Sequence, residues 1–245
     1  MLIELAYLVC LVAIEILGVG IGPTAAILLH AGLILVLFNI YLFRSDELGQ
    51  RLWLGLVLVS LLRIASLALP LSLLHPLVWP ALICLPVWLG IGLLRPKVHL
   101  LASDLGLRKA AWLTQIFIAL SGIPIGFIGS LLLNPQPYFP EFSWLGVLPG
   151  AALLLLSVAF TEEVLFRGLL LNLARRALGE SALPFVSVAY AAMYIGAHSP
   201  GYLIWMGLAG WFWGWCVVKT GSLWGVVIAH GLVVVGLGFV WPYLF

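Results

Sequence analysis

Two glutamates and an arginine lie in an apolar stretch near the middle of the chain, a setting in which charged side chains are costly. Residues 161–167 read TEEVLFR and follow the run LLLLSVAF. Glu163 and Arg167 are four residues apart and can pair on one helix face, whereas Glu162 is turned about 100° away and has no cation beside it. A carboxyl group without a paired charge in apolar surroundings can act as a general base or acid near neutral pH. These two adjacent glutamates, here called the doublet, are therefore predicted to have different roles: Glu163 is the structural carboxylate and Glu162 is the reactive one.

Two histidines further along the chain could complete a hydrolytic site. His198 ends the segment YIGAH, one helical turn after Tyr194, and His230 ends TGSLWGVVIAH. At 1.5 Å per residue, His230 and Glu162 are expected at similar depths, roughly 14 and 18 Å from the basic connections. By the same count, His198 lies near the outer end of its span. The helices must therefore tilt, or the 177–184 connection must dip into the protein, if Glu162, His198 and His230 are to meet. Such a set can hydrolyse an amide: Glu162 deprotonates a water, a histidine donates to the oxyanion, and Glu162 returns the proton to the amine.

The composition is that of an integral membrane protein. Of 245 residues, 64% are hydrophobic and 8% are charged, against about 25% charged residues in a soluble domain. Backbone groups in lipid must be satisfied within each segment, so the spans are expected to be helices. The predicted fold class is all-α, a polytopic transmembrane bundle of about nine spans. The spans are predicted at 2–20, 24–43, 52–74, 77–94, 112–133, 145–171, 182–198, 202–218 and 222–243.

The basic residues of the connections fall only in alternate loops, which predicts the orientation. The connections at 20–23, 75–76, 134–144 and 199–201 contain no lysine or arginine. By the positive-inside rule, the other connections are cytoplasmic. We therefore expect the N-terminus in the cytoplasm, the C-terminus outside, and a location in the plasma (cell inner) membrane. The three cysteines stand singly and predict neither a disulfide framework nor a zinc site.

Three motifs, in this order, resemble the signature of the CPBP family of intramembrane proteases, also called Abi. The motifs are EEVLFR at 162–167, YIGAH at 194–198 and WCVVKTGSLWGVVIAH at 215–230. The family pattern is EExxxR, then an aromatic residue four positions before a histidine, then a TGS turn leading to a final histidine. DLGLR at 104–108 is similar to the family's lead-in. The resemblance divides the chain into N-terminal transmembrane helices without a recognised motif (1–103) and a CPBP-like intramembrane protease core (104–245).

The family includes CAAX prenyl proteases and proteins of bacteriocin processing and self-immunity, so the resemblance implies an intramembrane endopeptidase. It implies Glu162 as the water-activating carboxylate, with Glu163 and Arg167 as its structural pair. It also implies His198 as the residue that orients the water and His230 as an oxyanion donor. The family was long described as metal-dependent and is now more often regarded as glutamic-type. We predict no cofactor, with metal dependence left open.

The predicted partners are a membrane-associated peptide or protein substrate and the lipid bilayer, without nucleic acid. Two departures from the family pattern bear on activity. Members often carry Asn four residues after the last histidine, where this chain has Val234, and usually Phe where it has Tyr194. The missing amide either weakens the oxyanion hole or shifts its role to another donor such as Ser222 or a backbone N–H.

Two other classes of function compete with the protease. A non-catalytic membrane scaffold or self-immunity protein would retain the fold, and Val234 keeps that alternative open. In a proton-coupled transporter, Glu162 and the two histidines would form a relay, but the sequence shows no inverted repeat.

Several residues outside the motifs also carry predictions. Arg63 either binds a substrate carboxylate or a lipid phosphate, or pairs with Glu15 or Glu4. The small residues of one segment are spaced for close helix packing: Gly207, Gly210 and Gly214. Nearby tryptophans are expected to face lipid or the membrane interface: Trp205, Trp211, Trp213, Trp215 and Trp224.

Overall fold

The regular structure is helical, which confirms the predicted all-α fold class. The computed structural model describes residues 2–69, 75, 77–197 and 199–244, and no strand occurs within these ranges. The N-terminal helices are α1 (Leu2–Ile21), α2 (Pro23–Phe43), α3 (Glu47–Ala68) and α4 (Val78–Leu94). The next two, α5 (Trp112–Leu120) and α6 (Gly122–Leu133), are separated only by Ser121.

Residues 144–178 form one helical stretch, here called the long helix, which carries the glutamate doublet. It consists of α7 (Trp144–Leu154), α8 (Thr161–Glu163) and α9 (Leu171–Leu178), separated by two π-helical segments, Leu155–Phe160 and Val164–Leu170. The doublet therefore lies between two stretches of widened helix, a local geometry that is frequent at functional sites.

The C-terminal part contains α10 (Ala182–Ala192), α11 (Pro200–Thr220) and α12 (Trp224–Phe239). The predicted span 182–198 is longer than the observed α10, because the chain leaves the helix at Ala192 and forms a 3₁₀ turn at Ile195–Ala197. Pro200 begins α11 after Ser199, whose backbone is extended, as residues before proline prefer.

The number of helical segments agrees with the predicted number of spans. Within the described ranges, seven helical stretches are long and apolar enough to cross a membrane. One of them, 144–197, contains both the long helix and α10, and α4 is a shorter apolar helix. When the long helix and α10 are counted separately and α4 is added, the described ranges contain nine apolar segments. The described part of the chain is thus as expected of a polytopic membrane protein of about nine helices.

Close packing between backbones brings the motif helices together. In the C-terminal half, α12 packs against α5, α6 and the long helix. A Cβ at Gly122 of α6 would lie 2.1 Å from the carbonyl oxygen of Ala229 in α12. A Cβ at Gly214 of α11 would lie 2.6 Å from Leu183 of α10, and one at Gly210 would lie 2.9 Å from Tyr190. The predicted close packing through these α11 glycines is confirmed.

The N-terminal helices share the same hydrophobic core. α1 contacts α10, and α3 contacts α9 of the long helix. The indole N–H of Trp88 in α4 donates to the Thr161 hydroxyl at 2.9 Å, directly beside the doublet. The three cysteines are free, as predicted.

Substitution of Gly122 by alanine tests the close approach of α6 to α12. We expect Gly122→Ala to lower the free energy of unfolding by roughly 1–3 kcal/mol or more, because the methyl group can fit only if the helices separate. Gly32→Ala is the matched control, because Gly32 also lies in a helix but a Cβ there would have no neighbouring atom within 4 Å; alanine there should be neutral or slightly stabilising. The thermal unfolding midpoints of both variants in detergent test this prediction. Equal midpoints would contradict the close packing of α6 against α12.

Candidate active site

Glu163 and Arg167 form a buried ion pair on the long helix. Nη1 of Arg167 donates to Oε1 of Glu163 at 3.0 Å, as the four-residue spacing predicts, and both side chains are almost completely buried. The Arg167 guanidinium carbon also lies 3.9 Å from the ring centroid of Tyr190, a cation–π contact. Since removing either charge would leave the other buried and unpaired, this pair constrains the helix strongly.

His230 brings α12 into contact with both glutamates. Its Nδ1 lies 2.9 Å from Oε1 of Glu163, and its Nε2 lies 3.9 Å from Oε2 of Glu162. A carboxylate paired with arginine is ionised and can only accept hydrogen bonds, so we assign the Nδ1–H of His230 as the donor. A neutral ring with that tautomer presents a lone pair on Nε2 toward Glu162.

Glu162 is the accessible member of the doublet. Its side chain is 23% exposed, whereas that of Glu163 is 0% exposed. Glu162 lines a cavity of about 260 Å³. The Tyr194 hydroxyl donates to Oε2 of Glu162 at 3.4 Å and lies 2.8 Å from the Tyr190 hydroxyl. Of the two carboxylates, Glu162 is therefore the one that water or a substrate can reach.

Trp213 supports His230, a role that the sequence analysis missed. The Trp213 ring is stacked on the imidazole, with centroids 5.6 Å apart and planes 26° apart, and it is fully buried. The expectation that Trp213 faces lipid is therefore wrong. A helical signal was present, because the buried face of α11 includes Met206, Gly210 and Val217, and Trp213 falls on the same stripe. The other four tryptophans of that prediction are half-buried or exposed: Trp205, Trp211, Trp215 and Trp224.

Arg63 pairs with Glu15, which was one of its two predicted roles. Nε and Nη2 of Arg63 donate to the two carboxylate oxygens of Glu15 at 2.5 and 2.6 Å, and His30 Nε2 lies 3.2 Å from the same group. Arg63 also lines the cavity that contains Glu162. The N-terminal helices thus contribute one wall of that cavity.

Neither Val234 nor Ser222 supplies a donor at this site. Val234 packs against an apolar cluster that includes Leu154 and Phe239. Ser222 precedes His230 by eight residues, roughly 12 Å along the chain at helical rise. Within the described residues, the Ser222 hydroxyl makes no hydrogen bond to either glutamate, whereas the Tyr194 hydroxyl donates to Glu162 and is the better-placed candidate donor.

His198, the remaining predicted site residue, lies outside the described residues. Within the described ranges, no group of three or more His, Cys, Asp or Glu side chains is arranged to hold a metal ion. Glu163 is engaged by Arg167 and His230, which leaves Glu162 and Nε2 of His230 as the nearby donors. These described residues do not by themselves fit a metal ion.

Comparison with known proteins agrees with the motifs. Residues 143–236 match a family model described as Type II CAAX prenyl endopeptidase Rce1-like. The matched segment contains the doublet, Arg167, Tyr194 and His230, and it confirms the resemblance stated from the sequence. The comparisons with curated proteins and with solved structures gave no match.

Loss of the buried ion pair should be much more costly than loss of a surface pair of the same type. We expect Arg167→Ala to lower the free energy of unfolding by about 3–5 kcal/mol, because Glu163 would remain buried without its cation. Arg51→Ala is the matched control, because Arg51 pairs with Glu47 at the same spacing but Glu47 is exposed; its cost should be about 1 kcal/mol or less. Unfolding of both variants in detergent measures the two decreases in the free energy of unfolding. Similar decreases would contradict the assignment of Glu163 and Arg167 as a buried ion pair.

Proposed function

We propose that the protein is an intramembrane endopeptidase, because residues 143–236 match a family model described as Type II CAAX prenyl endopeptidase Rce1-like. It hydrolyses a peptide bond of a membrane-associated peptide or protein. The observation that carries this proposal is the unequal burial of the doublet: Glu162 faces a cavity beside His230, while Glu163 is held in a buried ion pair.

Glu162 activates the hydrolytic water. The 3.9 Å between Oε2 of Glu162 and Nε2 of His230 is too long for a direct hydrogen bond and suits a bridging water. The water donates one proton toward Glu162 and the other toward the lone pair of His230, so its oxygen lone pairs are free to attack. In this arrangement His230 orients the water, rather than acting at the oxyanion as the resemblance implies, and Glu163 with Trp213 holds the ring in place.

Attack on the carbonyl carbon transfers a proton to Glu162 and negative charge to the carbonyl oxygen. A protonated Glu162 no longer requires the hydrogen bond from Tyr194, so that hydroxyl can turn to the oxyanion. Tyr190 supports it through the hydroxyl contact of 2.8 Å. When the tetrahedral intermediate collapses, Glu162 gives its proton to the leaving amine. The reaction is then of the glutamic type, with every proton transfer made by residues of this chain.

The substrate segment around the cut bond should be apolar. The cavity beside Glu162 is walled mainly by apolar side chains from α4, the long helix and the segment after α10, including Trp79, Ile83, Val158 and Met193. An extended peptide with small or apolar side chains fits such walls without burying unpaired charge. This is compatible with a CAAX-type or a peptide-maturation substrate.

Glu162→Gln should abolish cleavage while leaving the fold intact. Glutamine keeps the shape but cannot take the proton, and loss of a general base typically costs 10²–10⁴ in rate. The assay uses purified protein in detergent with membrane-anchored reporter peptides, prenylated and unprenylated, with and without a chelator. Thermal unfolding of the variant should match that of the wild type, since Glu162 is partly exposed.

Three outcomes discriminate between the possible functions. Cleavage by the wild type, unaffected by chelator and lost in Glu162→Gln, supports the glutamic mechanism. Cleavage that survives in Glu162→Gln refutes the assignment of the base, and loss on chelation refutes the metal-free route. Peptide binding without cleavage by the wild type would instead favour the non-catalytic scaffold.

Tyr194→Phe should lower kcat by about 10²-fold, the typical effect of removing one oxyanion donor. The same substitution restores the residue that is usual in the family. Adding Val234→Asn to this variant introduces the side-chain amide that family members often carry at this position. The double variant should recover part of the lost rate. Val234→Asn alone is the matched control. Full activity of Tyr194→Phe would show that its hydroxyl does not act on the oxyanion.

A further inference from the structure

A second, polar pocket is lined in part by Arg167 and shares no lining residue with the cavity of Glu162. It has a volume of about 170 Å³ and is bounded by the turn before α5, the long helix and the end of α11. Its lining includes three arginines: Arg108, Arg167 and Arg175. The proposed peptidase reaction uses none of its space.

The pocket carries an excess of positive charge. Asp104 is the acidic residue in its lining, and it already lies 3.6 Å from Arg176. Arg175 is exposed and has no ion-pair partner among the described residues. Nη2 of Arg167 is buried and lacks a hydrogen-bond acceptor in the described part of the chain. Glu163 already neutralises Arg167. The uncompensated charge therefore comes from Arg108 and Arg175, which have no ion-pair partner within the described ranges and whose guanidinium groups repel one another unless an anion neutralises them.

The surrounding backbone holds these groups in place. Nε of Arg108 donates to the Gly221 carbonyl oxygen at 2.7 Å. Gly221 has a φ of +66°, and a Cβ there would lie 1.6 Å from Nη2 of Arg108, so the guanidinium can occupy this position only above a glycine. The side-chain amide of Asn172 donates to the Asp104 carbonyl oxygen at 3.0 Å and ties the turn to the long helix.

We propose that this pocket binds a phosphate group. Arginine presents a planar set of donors that matches phosphate oxygens, and here the arginines come from two elements, the connection before α5 (Arg108) and the long helix (Arg167 and Arg175). The volume corresponds to about five or six water molecules, enough for one phosphate group. The phosphate belongs either to the headgroup of an anionic lipid or to a free inorganic ion. The site is separate from Glu162, and its occupancy does not depend on peptidase activity.

Thermal unfolding of the purified protein in a neutral detergent tests the site. Inorganic phosphate, titrated against chloride at matched ionic strength, should raise the midpoint of the wild type to a plateau, as a ligand of the folded state does. Arg175→Gln should weaken the apparent affinity at least tenfold, because it removes a charged donor. Lys97→Gln removes the same charge from an exposed residue outside the pocket lining and should leave the response unchanged.

A second arm distinguishes the source of the phosphate. Short-chain phosphatidic acid, below its micelle concentration, replaces the inorganic ion. A saturable rise with the lipid alone identifies a headgroup site, and a rise with inorganic phosphate identifies a site for the free ion. The proposal fails if neither probe gives a saturable rise, or if Arg175→Gln and Arg108→Gln respond as the wild type does. Glu162→Gln should bind phosphate normally, so failure of the peptidase proposal would leave this result intact.

Discussion

The buried ion pair of Glu163 and Arg167 is the constraint on which the site depends. Two charges can remain in an apolar interior only if each is neutralised and hydrogen-bonded. His230 reaches the pair from α12, and the ring of Tyr190 covers it from α10. Gly210 of α11 leaves the room that the guanidinium needs, because a Cβ there would lie 3.0 Å from Nη2 of Arg167. One intrahelical pair thus fixes the relative positions of three other helices.

This arrangement gives two adjacent and chemically identical side chains different tasks. Glu163 faces the packed interior and holds His230 by its Nδ1, while Glu162 lies at the edge of the cavity. The division follows from helical geometry, since neighbouring residues point in directions about 100° apart. The buried member orients the histidine, and the accessible member is left beside the other nitrogen of the same ring. The imidazole of His230 therefore links the two carboxylates, because Glu163 fixes the orientation of the ring and the ring places Nε2 near Glu162.

The N-terminal helices are more than a membrane anchor for the motif-bearing part. Trp88 of α4 donates to Thr161, the residue immediately before the doublet, and Arg63 of α3 lines the cavity of Glu162. The charge of Arg63 is neutralised within the N-terminal helices by Glu15. Helices without a recognised motif consequently shape the space around the reactive carboxylate.

The sequence by itself determined the helical class, the approximate number of segments, the pairing of Glu163 with Arg167 and the shared depth of Glu162 and His230. These properties follow from hydropathy and from the regular rise and period of a helix, which act over short distances along the chain. Only the tertiary structure decided that His230 contacts both glutamates and that Trp213 stacks on it instead of facing lipid. The tertiary structure also decided that Glu15, and not Glu4, pairs with Arg63, because sequence spacing did not distinguish the two. Contacts between helices depend on their rotation and crossing, and several packings can satisfy the same apolar pattern when almost every face is hydrophobic.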